Sequence, residues 1–563
     1  MASSSSALPA APGSAPTSIA ATGSAPTGSA PTGSAPAGSA VPAGNRAAKP
    51  DAAPGPLTGA SLVWGTIALA SAVFMNVLDT SIANVALPAI AGDLGVSPSQ
   101  GTWVITSFAV ANAIAVPLTG WLTQRFGAVR LFTTSILLFV LASWLCGIAP
   151  TFESLLFFRV MQGAVAGPMI PLSQTLLLQS YPAAKAGTAM AMWAMVTLIA
   201  PVTGPVVGGW ITDNIAWSWI FYINIPVGLL AALGTWSIYA RRETATRKLP
   251  IDGLGLVLLV LWIGAMQIML DKGKDLDWFA SPLIVGLAVT MVVSLAIFLA
   301  WELTEEHPIV DLSLFGRRNF WTGTLAVSVG YGLFFGNVVL LPLWLQQYMG
   351  YTATWAGWIL APVGLCAIVL SPVVGRTVHR VDPRVYATVS FLVFALVLWM
   401  RSRFNTQADV ATLMLPTLVQ GVAMAFFFIP LMTMTLSGLP PQRIAAASGL
   451  SNFVRISAGA IGTSVTTTLW DDRAALHHAH LVEAASRPGA AAQSALEQMV
   501  AGGMTREQAL ASLQRLIDQQ AHMLGANDIF FVSALIFVAL IALVWLARPI
   551  RGGGGGAGAS AAH

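Results

Sequence analysis

Two ionisable residues, Asp79 and Arg159, lie inside long and predominantly apolar segments of the sequence. An ionisable group at membrane depth is expensive and by default marks a functional site. Burial disfavours the charged form of Asp79, so a proton gradient could load and unload this carboxyl group. Arg159 cannot lose its own proton, but its charge would lower the pKa of any nearby carboxylate and help to expel that group's proton. These residues predict proton transfer; the alternatives are a hydrated Asp79 near the outer interface and an Arg159 that extends to that interface.

A third ionisable residue, Arg455, lies well inside another apolar segment. It requires a buried partner or a water-filled cavity, and the sequence does not show which. Amide side chains in the apolar segments could line such a cavity, although a hydrogen bond between helices explains each of them equally well. The candidate cavity residues are Asn112, Gln162, Asn337 and Arg455, with Gln174, Gln346, Gln420 and Asn452 as further amides of the same kind.

The composition identifies the solvent around these residues. Of the 563 residues, 56% are hydrophobic and only 9% are charged, against about 25% charged in a typical soluble domain. So few charges cannot cover a water-soluble body of this size, and lipid must be the main solvent. The net charge of +4 is small, and the Lys and Arg residues form no stripe, which argues against nucleic acid as a partner. Cys146 and Cys366 lie in apolar runs and indicate neither a disulfide framework nor a metal site.

A membrane-spanning helix needs about 20 predominantly apolar residues. Fourteen segments meet this requirement and predict an all-α polytopic membrane protein. They are residues 63–88, 101–122, 128–148, 155–178, 186–210, 217–239, 253–271, 280–301, 320–346, 354–378, 385–403, 409–435, 444–470 and 527–547.

Loop charges predict the orientation, because cytoplasmic loops carry the excess of Lys and Arg. With the N-terminus inside, seventeen Lys and Arg residues fall on the inner side of the membrane. The short outer loops then hold four, namely Lys272, Lys274, Arg401 and Arg403. We therefore expect a multi-pass membrane protein with both termini in the cytoplasm; the resemblance described below implies that the membrane is the cell inner membrane.

The chain divides into five regions. Residues 1–56 repeat Ser-Ala-Pro-Thr-Gly units, have almost nothing apolar to bury and predict a disordered tail. Residues 550–563 form a second, Gly-rich tail. Between the tails we expect a six-helix bundle at 57–240, two additional transmembrane helices with linkers at 241–318, and a second six-helix bundle at 319–549.

The longest connection between spans, 471–526, is expected on the periplasmic face. Thr505 and Gln508 have the spacing of a capping box, and apolar residues follow at helical spacing, which predicts an amphipathic helix over 505–524. This helix would either pack on the outer mouth of the protein or form a docking surface. The nearby histidines lack Cys or carboxylate partners at ligand spacing, so we expect no metal site.

The two bundles repeat a short motif. The second span is followed by residues 120–130 (GWLTQRFGAVR) and the tenth by residues 375–384 (GRTVHRVDPR). Each motif places a Gly at a helix end and Arg residues in a short cytoplasmic turn. A separation of eight spans fits two six-helix bundles with two helices between them, and many transporters are built from such repeats.

Four motifs carry a resemblance to a known family. They are residues 78–88 (LDTSIANVALP), 120–130, 159–163 (RVMQG) and 200–209 (APVTGPVVGG). With them the chain resembles the major facilitator superfamily, in its fourteen-span branch of drug:proton antiporters, from residue 73 to residue 549. The resemblance implies the major facilitator fold, with two six-helix bundles plus two extra helices.

The resemblance also implies roles for individual residues. Asp79 and Arg159 would couple proton movement to transport. The loop motif would act in gating and the antiporter motif of the fifth span in close helix packing, through Gly120, Arg125, Gly127, Arg130, Pro201, Gly204, Pro205, Gly208 and Gly209. The loop motif departs from the family pattern, because Gln124 occupies its usual acidic position and His379 the matching position of the second copy. The sequence therefore leaves open whether a charge relay runs through this loop. A gating role for the Gly turn and the Arg residues remains, and the alternative is a loop whose Arg residues only follow the positive-inside rule.

The function implied by the resemblance is proton-driven antiport that exports lipophilic drugs and toxicants without a cofactor. The pump would lie in membrane lipid and work with a periplasmic adaptor protein and an outer-membrane channel. A narrow exporter of one metabolite or siderophore is the alternative. A membrane enzyme is disfavoured because the spans show no His-rich or acidic cluster, and a channel is disfavoured because it needs no proton-coupled acid.

Overall fold

The computed structural model describes residues 55–182, 185–247, 250–306, 308–378, 380–486 and 491–549. The two predicted tails fall almost entirely outside these residues, and so does His379. Every regular element of the described residues is a helix, which confirms the predicted all-α fold.

Twenty-one α-helices follow one another along the described chain. They are α1 (Gly59–Asp93), α2 (Pro98–Gly101), α3 (Trp103–Ala115), α4 (Thr119–Phe126), α5 (Ala128–Gly147), α6 (Phe152–Ala166), α7 (Met169–Ser180), α8 (Ala186–Asn214), α9 (Trp219–Tyr222), α10 (Asn224–Tyr239), α11 (Gly253–Lys272), α12 (Pro282–Thr304), α13 (Arg318–Gln347), α14 (Ala353–Leu360), α15 (Pro362–Thr377), α16 (Pro383–Arg401), α17 (Val410–Ala425), α18 (Phe428–Thr435), α19 (Pro441–Ala485), α20 (Ala491–Ala501) and α21 (Arg506–Trp545).

Twelve spans of the described residues are long and apolar enough to cross a membrane, and a thirteenth forms if α3 and α4, which meet at 62°, count as one. The remaining predicted span, 186–210, lies within the 29-residue helix α8. Several spans consist of two consecutive helices. Three of these breaks contain or adjoin Pro117, Pro168 or Pro362, where the missing backbone N–H interrupts the helical hydrogen bonds.

The two halves of the molecule, α1–α10 and α13–α21, meet through matching glycine contacts. A Cβ atom on Gly120 would lie 2.7 Å from the Cβ atom of Ala446, and one on Gly375 would lie 2.8 Å from that of Ala191. The separation of 120 from 375 equals that of 191 from 446, so the internal repeat extends to these contacts. Replacement of either glycine by a residue with a side chain would push the two halves apart.

We call the end of the molecule that holds these glycines the basic end. Its helix ends and the connections between them carry Arg125, Arg130, Arg317, Arg376 and Arg443. Nη1 of Arg317 donates to the Gly438 carbonyl at 2.8 Å, and Arg443 pairs with Asp311. These bonds connect the linker after α12 to the turn between α18 and α19.

The additional helices α11 and α12 pack on each other, and α11 contacts both halves at the opposite end. Oγ1 of Thr106 in α3 donates to Asp271 in α11 at 2.8 Å. Oγ of Ser464 in α19 donates to the carbonyl of Leu270 in α11 at 2.9 Å. The pair therefore bridges the first half to the second.

The segment 471–526 differs from the loop that the sequence predicted, because the last two spans continue through much of it as helices. The 45 residues of α19 and the 40 of α21 extend about 67 Å and about 60 Å at about 1.5 Å per residue. The hydrocarbon core measures only about 30 Å, so both helices project beyond it. The predicted capping box of Thr505 and Gln508 is confirmed, but the helix that it starts is continuous with the last span.

Candidate proton-coupling site

Asp79 in α1 and Arg159 in α6 form a buried ion pair. Nη1 of Arg159 lies 2.7 Å from Oδ2 of Asp79, and the two side chains are 0% and 1% exposed. Neither side chain reaches the surface, so the structure shows neither a hydrated Asp79 nor an Arg159 that extends outward. The two charges that the sequence singled out are each other's partners.

Three uncharged side chains complete the surroundings of Asp79. Gln162 and Asn224 donate to its Oδ1 at 3.0 Å and 2.8 Å. The same amides donate to the hydroxyl of Ser143 at 2.8 Å and 3.3 Å. Gln162 also accepts a 2.6 Å hydrogen bond from Arg159. One network thus joins α1, α5, α6 and α10.

Arg159 is also held by the second span. Its Nε donates to the carbonyl oxygen of Val104 at 3.0 Å, and its guanidinium carbon lies 4.4 Å from the ring centroid of Phe108. Phe221 from α9 lies on another side at 5.6 Å, and both rings favour a cation. Nη2 of Arg159 has no hydrogen-bond partner among the described residues. This nitrogen of Arg159 therefore remains able to donate a hydrogen bond.

The arrangement can bind and release one proton. As long as Asp79 is ionised, the pair is neutral and its hydrogen bonds offset part of the cost of removing both charges from water. A proton on Asp79 would leave Arg159 as an uncompensated buried cation, which is strongly unfavourable. Protonation would therefore drive the helices of the pair toward a different arrangement.

The antiporter motif of α8 packs against the helical turn that carries Asp79. A Cβ atom on Gly204 would lie 2.5 Å from the Cβ atom of Ser81, and one on Gly208 would lie 3.1 Å from Cγ2 of Ile82. Small residues let membrane helices approach this closely. A shift of α1 at Asp79 must consequently move against α8.

The remaining residues of that motif lie in the same helix. Gly209 is half-buried. The side chains of Pro201 and Pro205 lie outside the part of the structure that is described. The described glycines of the motif therefore contribute close packing, and its polar residue Thr203 donates only to carbonyl oxygens of its own helix, those of Ile199 and Ala200.

The loop motif receives its acid from elsewhere in the chain. Glu243, which follows α10, accepts hydrogen bonds from the backbone N–H groups of Val129 at 3.0 Å and Arg130 at 2.8 Å. Gly127 has a φ of 88°, and a Cβ atom there would collide with the Glu243 carboxylate. Glu243 therefore supplies to this turn the carboxylate that Gln124 lacks.

Arg125 and Gly120 of the same motif have different surroundings. The Arg125 guanidinium lies 5.5 Å from the Trp121 ring centroid and 5.9 Å from that of Phe126. Gly120 contacts Ala446 of the other half. The motif thus combines a contact between the halves with an aromatic support for one arginine.

The predicted cavity residues are not gathered in one place. Gln162 belongs to the Asp79 network, whereas Asn112 is half-buried in α3. Asn337 in α13 donates to Ser533 in α21 at 3.3 Å, which is a hydrogen bond between helices. Arg455 lies in α19 beside Asn452, to which it donates at 2.8 Å.

Four residues with buried or capping roles were not identified from the sequence. They belong to the Asp79 network, to the loop motif and to a buried contact in the second half. Asn224 is an amide in an apolar span and carried the same signal as Gln162, whereas Ser143 carried none. Glu243 gave no signal because it acts from a distant linker. Arg401 was assigned to an outer loop, and this was wrong: it lies in the last turn of α16, is 1% exposed and donates to Gln420 at 2.6 Å.

Comparisons with known proteins agree with this architecture. Residues 69–463 match the sequence profile of the Major Facilitator Superfamily. The chain is 52% identical to the Multidrug export protein EmrB of Escherichia coli strain K12 over 504 residues, which cover 89% of this chain and 98% of that protein. The EmrB protein of Haemophilus influenzae is also 52% identical, over 88% of this chain and 97% of its own. The Fatty acid resistance protein FarB of Neisseria gonorrhoeae is 50% identical, over 89% and 99%.

A solved structure shows the same fold at low sequence identity. The human organic anion transporter MFSD10 (TETRAN) superposes with a TM-score of 0.55 at 13% identity, over 86% of this chain and 100% of that one. A profile match across most of the spans and relatives that are half identical along nearly their whole length confirm the predicted family. The chain belongs to the major facilitator superfamily and is a multi-pass membrane transporter, not an enzyme.

Proposed function

We propose that this transporter exports lipophilic drugs and toxicants and takes up protons in exchange. The names of its half-identical relatives, which are multidrug export proteins and a fatty acid resistance protein, support the export of such compounds. The observation that supports proton coupling is the buried ion pair of Asp79 and Arg159. The proton gradient is then the energy source, and no cofactor takes part.

The exchange follows from the charge balance of the pair. When Asp79 is ionised, its bonds to Arg159, Gln162 and Asn224 hold α1, α6 and α10 together. When Asp79 takes up a proton, the attraction to Arg159 weakens and the uncompensated cation favours a rearranged site. Binding of substrate and of the proton would each favour a different arrangement, which is the requirement for antiport.

The close packing of α8 transmits the rearrangement. Ser81 and Ile82 lie within one turn of Asp79 and contact Gly204 and Gly208 of α8. The same helix carries Ala191, which contacts Gly375 of the second half at the basic end. A movement at Asp79 thereby reaches the contact that closes the two halves on each other.

The proposed orientation places the basic end in the cytoplasm of a cell with an inner membrane. The excess of Lys and Arg in the connections at that end supports it. A reporter fused after Arg551 should be active only in the cytoplasm, and one inserted beside Met504 only outside. The reverse pattern would contradict the orientation without affecting proton coupling.

The coupling is tested in DNA-loaded proteoliposomes with an acidic lumen. The probe is ethidium, whose permanent charge prevents passive redistribution by a pH gradient. We expect wild-type protein to accumulate ethidium until nigericin collapses the gradient, and Asp79→Asn to show no gradient-driven accumulation. Asp409→Asn is the matched control, because Asp409 caps α17 at the surface and Asn also caps helices.

Two results would contradict the proposal. Ethidium accumulation by wild type that persists after nigericin would show that no proton gradient is used. Undiminished gradient-driven accumulation of ethidium by Asp79→Asn would show that Asp79 does not carry the coupled proton. Asp79→Asn should retain downhill exchange of ethidium, which demonstrates that the variant is folded.

We also propose that the pump works in a tripartite system with a periplasmic adaptor and an outer-membrane channel. The resemblance implies this assembly, and the projecting parts of α19 and α21 supply a surface for it. Apolar side chains are exposed there at Leu476, Val482, Leu510 and Leu516. Such residues in a region beyond the membrane suit contact with another protein.

The docking surface is tested by Leu510→Glu combined with Leu516→Glu. We expect vesicle transport to persist while whole-cell resistance and co-purification with the adaptor are lost. Ala511→Glu is the matched control, since Ala511 is exposed on the same helix without a large apolar side chain. Normal co-purification of the double variant would contradict docking through this surface.

A further inference from the structure

Arg455 in α19 is a buried cation without a negatively charged partner. It is 2% exposed and forms no ion pair with any described residue. Of the 23 acidic residues in the chain, only Asp51 lies outside the described residues. A buried charge of this kind requires compensation, and the described structure does not provide it.

The guanidinium also keeps hydrogen-bond donors free. Nη2 donates to Oδ1 of Asn452 at 2.8 Å, but Nε and Nη1 have no acceptor among the described residues. An unsatisfied buried donor on a charged group is unfavourable. An acceptor with negative charge would correct both deficits at once.

Aromatic rings surround the same guanidinium. Its carbon lies 4.4 Å from the ring centroid of Tyr331 and 5.7 Å from that of Phe428. Phe335 packs beside Tyr331, with centroids 4.4 Å apart and the ring planes tilted by 34°. The cation therefore lies beside an aromatic surface that suits the apolar body of an organic molecule.

Arg455 lies where the two halves meet. Asn452, its hydrogen-bond acceptor, donates to Oε1 of Gln174 in α7 of the first half at 2.8 Å. Transporters built from repeats bind substrate at the interface of the repeats, near the middle of the membrane. Arg159 cannot serve as a cation for substrate in the same way, because Asp79 already neutralises it.

We propose that Arg455 is a specificity-determining residue that binds the carboxylate or phenolate of amphiphilic organic anions. The apolar body of the anion lies on Tyr331 and Phe428, and its charge replaces the missing acid. The guanidinium is covered in the conformation described, so the anion enters when the bond between Asn452 and Gln174 opens and the halves part. This inference rests on the proposed export function and names one class of its substrates.

Two probes that differ only in charge test the inference. Pyrenebutyrate carries a carboxylate at neutral pH, and pyrenebutanol carries a hydroxyl group on the same body. Their binding to purified full-length protein is followed by fluorescence anisotropy, with protein-free micelles subtracted. We expect Arg455→Gln to weaken pyrenebutyrate binding about tenfold or more, the effect of a lost charged hydrogen bond, and pyrenebutanol binding less than about twofold.

Two further variants isolate the role of the charge. Arg455→Lys retains the positive charge and should keep most of the preference for pyrenebutyrate. Arg403→Gln is the matched control, because Arg403 is exposed after α16, and it should leave both affinities unchanged. Pyrenebutanol binding by Arg455→Gln shows that this variant is folded.

Several outcomes would overturn the inference. One is an equal loss of both probes in Arg455→Gln, which indicates a structural role, and another is no loss of either. A third is a wild-type protein that binds pyrenebutanol but not pyrenebutyrate. Each of these can occur while gradient-driven ethidium transport remains intact, so failure of this inference is distinguishable from failure of the export function.

Discussion

The two halves of the transporter each bury an arginine against a glutamine, but among the described residues only the first half supplies an acid to pair with it. Arg159 donates to Gln162 at 2.6 Å and pairs with Asp79. Arg401 donates to Gln420 at the same distance, and its other described side-chain partner is Thr417, also uncharged. A single proton can change the charge balance of the first site and not that of the second. The comparison supports the proposal that proton coupling belongs to the first half.

The halves are alike where they touch each other. Gly120 meets Ala446 and Gly375 meets Ala191 at equivalent positions of the repeat. The helices after these glycines are both capped by a carboxylate, from Glu243 at α5 and from Asp382 at α16. The glycine contacts are thus shared between the halves, whereas the buried pair of an acid and an arginine, to which we assign proton coupling, belongs to the first half.

The largest expected effect separates the two buried arginines. Arg159→Met leaves Asp79 as an unpaired buried charge, which should lower stability by about 3–5 kcal/mol. Arg401→Met removes a cation that has no acid partner among the described residues and should change stability by less than about 1 kcal/mol, because an apolar side chain suits that site. Thermal unfolding of the purified proteins in one detergent measures both. Equal losses of stability in Arg159→Met and Arg401→Met would contradict the claim that the two buried arginines differ.

A smaller effect is expected from the neutral side chains around each arginine. Asn224→Ala removes a 2.8 Å hydrogen bond to the charged Asp79, a loss of about 1.5–3 kcal/mol, and should slow gradient-driven ethidium transport about tenfold. Thr417→Val removes only a 3.3 Å bond to Arg401 and should leave the rate within about twofold. Transport rates normalised to protein content decide the comparison. Slower ethidium transport by Thr417→Val than by Asn224→Ala would contradict this prediction.

The third prediction tests the shared contacts. Gly120→Ala and Gly375→Ala each force a Cβ atom against the other half, and such overpacking costs about 1–3 kcal/mol. Both variants should slow transport to a similar extent, because the two contacts are equivalent. A severe defect in one variant beside normal transport in the other would show that the basic end is asymmetric as well.

The smallest effect concerns Asp382, which caps α16 and pairs with Arg384 at 2.7 Å. Burial raises the pKa of Asp382, but the hydrogen bonds and the charge of Arg384 together lower the pKa by more. The net pKa therefore lies below the ordinary value of 3.8. Its contribution to stability is therefore present above pH 3.8 and is lost as the pH falls through the lowered pKa. Asp382→Asn should be less stable than wild type by about 0.5 kcal/mol at neutral pH, and unfolding measured at decreasing pH should show this gap closing. A gap that widens toward acid would contradict the assignment.

The sequence was sufficient for the fold because apolar segments and loop motifs are local signals. The family, the helical architecture, the transporter class and the export of drugs agree with the comparisons. The continuation of α19 and α21 beyond the membrane was missed, because helices outside lipid need no apolar run. Burial of Arg401 was missed because its position at the end of a span resembles a loop, and only the packing of α17 against α16 shows otherwise.

Within the candidate site, Asp79 and Arg159 were identified because charge in an apolar segment is conspicuous. Their pairing was not, since no sequence spacing relates α1 to α6. Ser143 gave no signal because a hydroxyl group can satisfy itself within its own helix. The acid that caps α5 was not found because Glu243 lies in a linker far from the loop motif that it completes.

Proton release on substrate binding tests the central role of Asp79 most directly. Ethidium is added to purified transporter in weakly buffered solution, and the pH is recorded with an electrode. The measurement is repeated at decreasing starting pH, because only a protonated Asp79 has a proton to release. At the acidic end of the series, wild type and Asp409→Asn should release protons when ethidium binds, and Asp79→Asn should bind ethidium and release none. Equal proton release by Asp79→Asn and wild type would contradict the account.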